Sequence, residues 1–333
     1  MMRNALADIE DVVGDAERAA DHRAWANDIA RRIHQLCWNE ADGRFYEVSE
    51  TGVQWKVDSV AGFWPLIAGI ATPAQAAKLA AAIRDPAKYW TDMVVPALAR
   101  DQPQFDPKAD YWKGGVWAPS TFMTIKGLQA AGNTALARAV SERYLAGVRD
   151  VFDYSGTVFE LYAPMAQSAA FIKASYTGYK THALRSVVLP GITLNGTHVS
   201  PGTDEYGSAL NAGGGSDHLG KDAFVGWTGL WPITVLLEHI IGIQADSPRG
   251  AIQWDLQRTD RHGINNLNLG VTGVLSLVAD ARASASAHTR ICISGQVSKV
   301  VKVNIAVGGK TVQQVLQPGQ VSVCANTGTL PAA

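Results

Sequence analysis

The sequence predicts a mainly α-helical protein whose helices form antiparallel pairs, followed by a small antiparallel β-sandwich. Two observations carry this prediction. Apolar residues recur at helical spacing, with turn signals between the helices, as far as about residue 241. Beyond Gly242 the composition changes to runs of β-branched residues separated by glycine turns. We therefore expect a helical domain over residues 1–242 and a β-sandwich domain over residues 243–333.

The N-terminal residues are predicted to form a helical hairpin, residues 4–20 and 22–38. Apolar side chains recur at helical spacing in the second helix, and Asp21 is a suitable N-cap for it. Residues 39–43 then form a turn because they combine asparagine, aspartate and glycine. A short strand-like segment, residues 44–48, follows this turn.

A third helix is predicted over residues 59–70, with Pro65 in its first turn because proline is not tolerated further inside a helix. Thr72 then caps a fourth helix, residues 73–84, which has proline at its first position. The proline-rich loop that follows, residues 85–117, is long, and loops of this length in a compact domain are usually functional.

Two more helices are predicted over residues 119–131 and 134–150. After a further loop, we expect a helix over residues 166–176 and an irregular region over residues 178–221. The last helix, residues 227–241, is apolar almost all round. A helix of this kind is usually buried, so we expect it to lie in the core.

Composition and charge narrow the functional classes. The chain is 47% hydrophobic and 18% charged, as expected for a globular protein with a sizeable core. A formal net charge of −1, with 29 scattered Lys and Arg residues, argues against a nucleic-acid partner. No apolar run is long enough to span a membrane, and the first residues carry acids where a signal peptide would be apolar. We therefore expect no membrane partner and a cytoplasmic location.

The three cysteines are too few and too scattered for a disulfide framework or a metal site. Cys37 lies on an apolar helix face and is expected in the core. Cys292 and Cys324 both fall in strand-like segments and could pair, a question that the sequence leaves open.

Residues 111–119 combine three aromatic side chains, a lysine and two glycines immediately before a helix. A flat aromatic face offers apolar area to the C–H face of a sugar, while a cation and free backbone N–H groups bind its hydroxyls. The glycines let the backbone approach a ligand closely. The alternative is a structural aromatic loop that closes one end of the helical domain. Several of the ten tryptophans lie at loop-to-helix junctions, which favours a carbohydrate cleft.

Four segments, residues 58–66, 111–117, 156–164 and 224–230, occur in the order found in a known enzyme group. On these motifs, residues 20–242 resemble glycoside hydrolase family 63, particularly its mannosylglycerate hydrolase-like branch, and more distantly the trehalases. The resemblance implies an (α/α)6 barrel of helical hairpins, no cofactor, and hydrolysis of glycosidic bonds with inversion. An inverting enzyme uses one carboxylic acid as proton donor and one carboxylate as base.

The resemblance also implies site residues. Glu160 matches the glutamate of the family's W-E-x-Y-x-P stretch and is predicted to be the general base. It also stands in a loop beside a glycine and a tyrosine, rather than on a charged helix face. Lys113 replaces an arginine of many relatives, and its ammonium lacks the planar two-pronged donor. We expect Trp64 and Trp231 to be core residues. The residues predicted to bind substrate are Tyr111, Trp112, Lys113, Trp117, Tyr162 and Trp227.

The general acid is the main departure from the family pattern. Nothing in the first 20 residues carries it, since Asp8, Asp11 and Asp15 lie on an amphipathic helix and are expected to be solvated. The predicted helices, about eight, are too few for a closed barrel, so we expect the chain to begin inside the domain. Another polypeptide would then supply the missing hairpins, or the chain would be a truncated derivative. Alternatively, Asp58 or Asp110 has taken over the acid role.

Two functional hypotheses follow. In the first, the chain is a glycoside hydrolase that acts on an α-linked glucose- or mannose-containing saccharide. In the second, it is a non-catalytic remnant that binds sugar or serves as a structural module. Both predict a small-molecule saccharide as the partner, and neither predicts the oligomeric state.

Overall fold

The computed structural model describes residues 1–107, 109, 111–155, 158–165 and 226–333, and the backbone of a short hairpin, β7 (Thr193–Leu194) and β8 (Thr197–His198). The chain divides into two compact units, Met1–Pro232 and Ile233–Ala333. The helix predicted over residues 166–176 and the side chains of the predicted irregular region lie outside the described residues, as does Asp110.

The N-terminal hairpin is confirmed, with α1 at Met2–Val13 and α2 at Ala16–Leu36, but its turn lies earlier than predicted. Gly14 ends α1 in a left-handed conformation that suits glycine. The Asp15 side chain accepts a hydrogen bond from a backbone N–H in the first turn of α2, so it is the N-cap. Asp21 lies inside α2, and its predicted capping role is wrong.

Two short hairpins follow, and each is antiparallel: β1 with β2, and β3 with β4. Their strands are Trp38–Asn39, Arg44–Phe45, Glu47–Val48 and Gln54–Trp55. The single helix predicted over residues 59–70 is wrong. The chain instead forms a 3-10 turn, Val60–Phe63, and one turn of α-helix, α3 (Trp64–Ile67), with Pro65 in its first turn as predicted. Gly69, in a left-handed conformation, prevents a longer helix.

The next three helices agree with the sequence more closely. Helix α4 covers Pro73–Arg84, and Thr72 and Gln75 form a reciprocal capping box at its start. Helix α5 covers Ala118–Ala130, and α6 covers Thr134–Ser155, five residues beyond its predicted end.

The last helix, α7, covers Trp227–Val235 and continues as a π-helical segment, Leu236–Ile241. Its predicted complete burial is wrong, because Leu230, Ile233 and Leu236 are exposed. The described neighbours cover only part of its surface, including Thr228 and Val235. Pro232 inside the helix lacks a backbone N–H, and this missing donor accompanies the change in helical pitch.

The second unit contains eight strands, β9 (Ile243–Asp246), β10 (Ala251–Asp255), β11 (His262–Asn268), β12 (Gly273–Ala279), β13 (Arg290–Val297), β14 (Val301–Val307), β15 (Lys310–Leu316) and β16 (Gly319–Asn326). They form two four-stranded sheets, ordered β15-β14-β10-β9 and β11-β12-β13-β16. Apolar side chains of both sheets, including Trp254, Leu277, Ile293 and Ile305, meet in one buried core. One pair, β10 with β14, is parallel, so the prediction of a fully antiparallel sandwich is wrong there. Three strands separate β10 from β14 along the chain, which allows the crossover that a parallel pair needs.

The cysteine question has a structural answer. Cys292 of β13 and Cys324 of β16 lie directly opposite each other and form a disulfide bond. Cys37 is outside any disulfide and is half-buried rather than fully in the core, and burial raises the pKa of its thiol. No described helix has the length and apolar character needed to cross a membrane.

Candidate functional site

A short antiparallel ladder brings two of the motif segments together. Strand β5 (Val116–Trp117) pairs with β6 (Leu161–Tyr162), and Trp117 lies opposite Leu161. Glu160 immediately precedes β6 in the chain. The ladder therefore places the predicted base next to the end of the aromatic segment, although more than 40 residues separate them in the sequence.

Four aromatic residues, Tyr111, Trp112, Trp117 and Trp227, form a continuous group that we call the aromatic cluster. The Trp112 ring stacks on Trp117 with centroids 4.2 Å apart and planes 11° apart. Tyr111 meets Trp117 edge-on at 4.8 Å, and Trp227 lies 6.1 Å from it. Trp117 is 3% exposed, whereas Trp112 is 54% and Tyr111 44% exposed. Trp117 therefore supports the cluster, and Trp112 and Tyr111 present its surface to solvent.

Glu160 is joined to this cluster through its backbone. The Trp227 indole N–H donates to the Glu160 carbonyl oxygen at 2.8 Å, and the Thr228 hydroxyl lies 3.4 Å from the same oxygen. Glu160 itself is half-buried. These contacts place the Glu160 backbone at the margin of the aromatic cluster, and they involve the start of α7.

The two glycines of the aromatic segment are required by close backbone approach. A Cβ at Gly114 would lie 2.3 Å from the Asp106 carbonyl oxygen, and one at Gly115 would lie 2.4 Å from the Tyr111 carbonyl oxygen. The Gly115 N–H donates to that Tyr111 oxygen at 3.0 Å. Tyr111 itself has a left-handed backbone, with φ at +56°. The glycines thus permit the tight turn that presents Tyr111 and Trp112.

The structure places two predicted binding residues in different surroundings. Lys113 is exposed beside the cluster. Tyr162 is fully buried, its hydroxyl oxygen accepts from the Phe159 N–H at 3.2 Å, and its ring meets Phe159 edge-on. Direct substrate contact by Tyr162 does not fit this geometry, because its side chain is completely buried. Tyr162 instead anchors the segment that carries Glu160.

The two tryptophans expected in the core, Trp64 and Trp231, differ in how far they are buried. Trp64 is 44% exposed, so its predicted core position is wrong. It starts the single turn of α3, where the side chain projects from the surface. Trp231 is half-buried and stacks on Phe122 at 4.4 Å, so it packs between α7 and α5.

Asp58, one of the two alternative proton donors, lies in a buried charged network. Its side chain is 3% exposed and receives the Arg44 Nε–H at 2.6 Å and the Lys88 ammonium at 3.1 Å. The Tyr89 hydroxyl donates to it at 2.8 Å. Each carboxylate oxygen therefore contacts a cation, and the buried side chain is not accessible to the leaving oxygen of a bound sugar.

The same network changes the titration of its neutral and cationic members. Burial raises the pKa of the Tyr89 hydroxyl well above its usual range, and the adjacent Asp58 carboxylate acts in the same direction. Partial burial lowers the pKa of Lys88, but its contacts with Asp58 and Asp101 outweigh this effect and raise it overall. Both groups therefore keep their protons at neutral pH.

The N-terminal aspartates Asp8, Asp11 and Asp15 belong to the α1–α2 hairpin and not to the Asp58 network. Asp8 and Asp11 are exposed and pair with Arg23, as expected for solvated side chains. The hydrogen bond from Arg23 lowers the pKa of Asp11. Asp15 caps α2. Within residues 1–107, 111–155, 158–165 and 226–333, no group of His, Cys, Asp and Glu side chains could hold a metal ion.

A segment that the sequence did not single out connects three of the four motif segments. We call residues 93–97 the linking segment. The Met93 N–H donates to the Pro164 carbonyl at 2.7 Å, and the Ala97 N–H donates to the Gly115 carbonyl at 2.9 Å. The Ala97 carbonyl in turn accepts from the Val60 N–H at 2.9 Å. The signal that could have revealed it is a run of apolar residues inside a proline-rich loop, which indicates burial.

A family model, the mannosylglycerate hydrolase MGH1-like glycoside hydrolase domain, matches residues 2–177, which is more than half of the chain. This match confirms the family resemblance that the four motif segments predict. The family model begins at the N-terminal hairpin and extends beyond Glu160.

Individual relatives are more distant. An uncharacterised protein of Borreliella burgdorferi is 19% identical over 268 residues, which cover 79% of this chain and 48% of that protein. A probable trehalase of Eremothecium gossypii is 28% identical over 158 residues, covering 46% of this chain and 21% of that protein. The chain thus spans about half, or less, of the length of these relatives. The crystal structure of the GH63 mannosylglycerate hydrolase of Thermus thermophilus in complex with glucose is 24% identical, covering 49% of this chain and 39% of that one, with a TM-score of 0.41.

Proposed function

The chain belongs to the mannosylglycerate hydrolase MGH1-like glycoside hydrolase domain family, and on that basis we propose that it hydrolyses an α-glycosidic bond of a glucose- or mannose-containing saccharide with inversion. The observation that carries the proposal is the position of Glu160, whose backbone is bonded to an indole of the aromatic cluster. A carboxylate beside an exposed aromatic surface can activate a water next to a sugar bound there.

In this proposal the residues have distinct roles. The outer faces of Trp112 and Tyr111 stack on the pyranose ring, and Lys113 donates hydrogen bonds to its hydroxyls. Trp117 and Trp227 carry the aromatic surface and tie it to Glu160. Tyr162 holds the Glu160 segment from inside. The reaction needs no cofactor.

Inversion requires a second carboxyl group on the opposite side of the sugar. For the two groups to leave room for the attacking water, they lie about 6.5–9.5 Å apart. The contacts of Asp58 with Arg44 and Lys88 argue against that residue as the acid. We therefore propose that the acid is a carboxyl group other than Asp58, with Asp110 as a candidate and a residue supplied from outside this chain as the alternative.

The proposal extends to the architecture. We propose that the helical hairpins belong to an (α/α)6-type glycosidase domain, residues 1–242, and that residues 243–333 form an appended β-sandwich domain. The pairing of α1 with α2 and the two packed sheets of the second unit support this division.

The Asp58 network also favours a second candidate, a non-catalytic sugar-binding module. Such a module would retain the aromatic cluster and lack a functional acid–base pair. The two candidates agree on saccharide binding and differ on turnover, so both quantities have to be measured.

The decisive test compares wild type, Glu160→Gln and Glu47→Gln on aryl α-glucosides and aryl α-mannosides. Glu47 is exposed in a short hairpin strand, so Glu47→Gln controls for the loss of one negative charge. We expect Glu160→Gln to lower kcat by about 10²- to 10⁴-fold, the usual contribution of a general base. NMR of the first product should show the β-anomer. Turnover by Glu160→Gln at the wild-type rate would contradict the role of Glu160. Sugar binding without any turnover by wild type would favour the second candidate.

A further inference from the structure

Val95, in the middle of the linking segment, has a backbone conformation that its side chain disfavours. Its φ is +64°, in the left-handed region, and the residue is completely buried. Left-handed backbone is rare for residues other than glycine, and for a β-branched residue it is an outlier. The following Pro96 further restricts the backbone of the residue before it. Surrounding contacts must hold such a conformation, and conformations of this kind cluster at functional sites.

The contacts that hold Val95 lie on both sides of it. Its own N–H donates to the Tyr89 carbonyl at 3.0 Å. Two residues earlier, the Met93 N–H is bonded to Pro164, and the Met93 carbonyl accepts from the Thr91 hydroxyl at 2.7 Å. Two residues later, Ala97 is bonded to Gly115. The turn at Val95 therefore lies between two backbone hydrogen bonds. The one from Met93 reaches the segment that carries Glu160, and the one from Ala97 reaches the aromatic segment.

We propose that Val95 is a positioning residue, whose left-handed turn fixes the spacing between Glu160 and the aromatic cluster. The inference rests on the proposed function for its catalytic meaning, and on backbone geometry for its structural part. Pro164 lies four residues after Glu160, and Gly115 lies between Trp112 and Trp117. A change in the direction of the chain at Val95 would pull on one of these two bonds or break it.

The conformation can be tested by comparing Val95→Gly with Val95→Ala. Both substitutions remove side-chain contacts that help to hold the turn. Glycine also removes the backbone strain, whereas alanine keeps part of it without those contacts, so we expect Val95→Gly to be the more stable of the two by thermal unfolding. Val140, a buried valine within α6, provides the matched control. There the order should reverse, with alanine more stable than glycine, because helical backbone favours alanine. Greater stability of Val95→Ala than of Val95→Gly would overturn the proposal.

The positioning role predicts the same order in catalysis. We expect kcat of Val95→Ala to fall by about 10- to 100-fold with little change in KM, since a displacement of about 1 Å can cost about 100-fold. Val95→Gly should stay close to wild type although it removes more of the side chain. A residue needed only for packing would give the opposite order, with glycine more damaging, and that result would contradict positioning.

A spectroscopic measurement keeps this test independent of the proposed function. The stacked Trp112–Trp117 pair should produce an exciton couplet in far-ultraviolet circular dichroism. We expect Val95→Gly to retain the couplet and Val95→Ala to lose much of it. If wild type shows no turnover, the proposed function fails while the couplet and the stability order still test Val95. An unchanged couplet in folded Val95→Ala would refute the spacing role itself.

Discussion

Arg44 and Asp58 form an ion pair that is almost completely removed from solvent. Burial of an ion pair is costly unless further hydrogen bonds satisfy the remaining polar atoms. Lys88 and Tyr89 supply such bonds to Asp58, and the guanidinium lies over the Phe63 ring at 4.2 Å, whereas Nη1 of Arg44 is buried without a hydrogen-bond partner among the described residues. The Asp58 carbonyl also accepts from the Ala99 N–H at 2.9 Å. The network therefore holds the chain around Asp58 in place. This part of the chain is hydrogen-bonded to the linking segment through Val60 and Ala97.

Replacing Asp58 by asparagine should destabilise the protein by about 3–5 kcal/mol, because the change leaves the Arg44 charge buried without its partner. The side chain keeps its shape, so the loss reports the charge and not a cavity. Urea unfolding followed by circular dichroism measures this difference.

Asp28→Asn is the matched control for the loss of an aspartate charge. Asp28 pairs with Arg31 on the surface of α2, and exposed pairs of this kind contribute about 0–1 kcal/mol. Equal destabilisation by Asp28→Asn and Asp58→Asn would contradict the structural role of Asp58. A folded Asp58→Asn protein that binds sugar but has lost all turnover would reinstate Asp58 as the proton donor.

Single residues of the site were predictable from the sequence only where a motif fixes their neighbours. The family resemblance assigned Glu160, Trp117 and Trp227 to one site. In the structure Trp117 pairs with Leu161 beside Glu160, and Trp227 donates to the Glu160 carbonyl oxygen. The direction of a side chain did not follow. Tyr162 points inward and Trp64 outward because their orientation depends on local backbone geometry, which a motif does not specify.

At the scale of elements, the β5–β6 ladder depends on the tight turn before β5. Gly115 has no room for a Cβ, because the Tyr111 carbonyl oxygen would lie 2.4 Å from it. That carbonyl is part of the backbone and cannot rotate away as a side chain would. The turn, the ladder and the stacking of Trp112 on Trp117 are thus coupled.

Gly115→Ala should therefore weaken both the turn and the aromatic stack. We expect destabilisation of about 1–3 kcal/mol, as for other overpacked sites, together with a smaller exciton couplet. Thermal unfolding and far-ultraviolet circular dichroism report these two effects.

Gly328→Ala serves as the control, since a Cβ there would meet only side-chain atoms, at 3.2 Å or more. We expect its effects on stability and on the couplet to be small. A Gly115→Ala protein with wild-type stability and couplet would show that the turn tolerates a Cβ.

The sequence predicted elements whose ends are specified by neighbouring residues. It did not predict pairings that depend on residues far apart in the chain. Thr72, Pro73 and Gln75 specify the start of α4 within four residues, and the structure has the helix there. The hairpin turn was misplaced because both Asp15 and Asp21 suit an N-cap, and Gly14 decides between them. The parallel pairing of β10 with β14 depends on the order of strands in the sheet, which local patterns do not encode.

At the scale of the whole molecule, the chain joins a helical unit that carries the candidate site to a unit of two packed sheets. The change in composition near residue 242 indicated the strands of the second unit, although the two compact units divide between Pro232 and Ile233. The disulfide of the second unit was not predictable, because it depends on the register of β13 against β16. Disulfides form in oxidising compartments and are rare in the cytoplasm. The disulfide therefore argues against the cytoplasmic location that the sequence predicts.

The Cys292–Cys324 bond should stabilise the second unit by closing a loop between residues 32 apart in the chain. In the chain-entropy description, a loop of this size corresponds to about 4 kcal/mol. We expect Cys292→Ser/Cys324→Ser to lower the free energy of unfolding by up to that amount, and a reductant to have the same effect on wild type. Cys37→Ser, which leaves the bond intact, should respond to the reductant as wild type does. Thiol titration of the folded, unreduced wild type should find at most one reactive thiol, that of Cys37. Three reactive thiols would contradict the disulfide and would mean that β16 is held only by its hydrogen bonds and packing. The double variant should then unfold at the same midpoint as wild type.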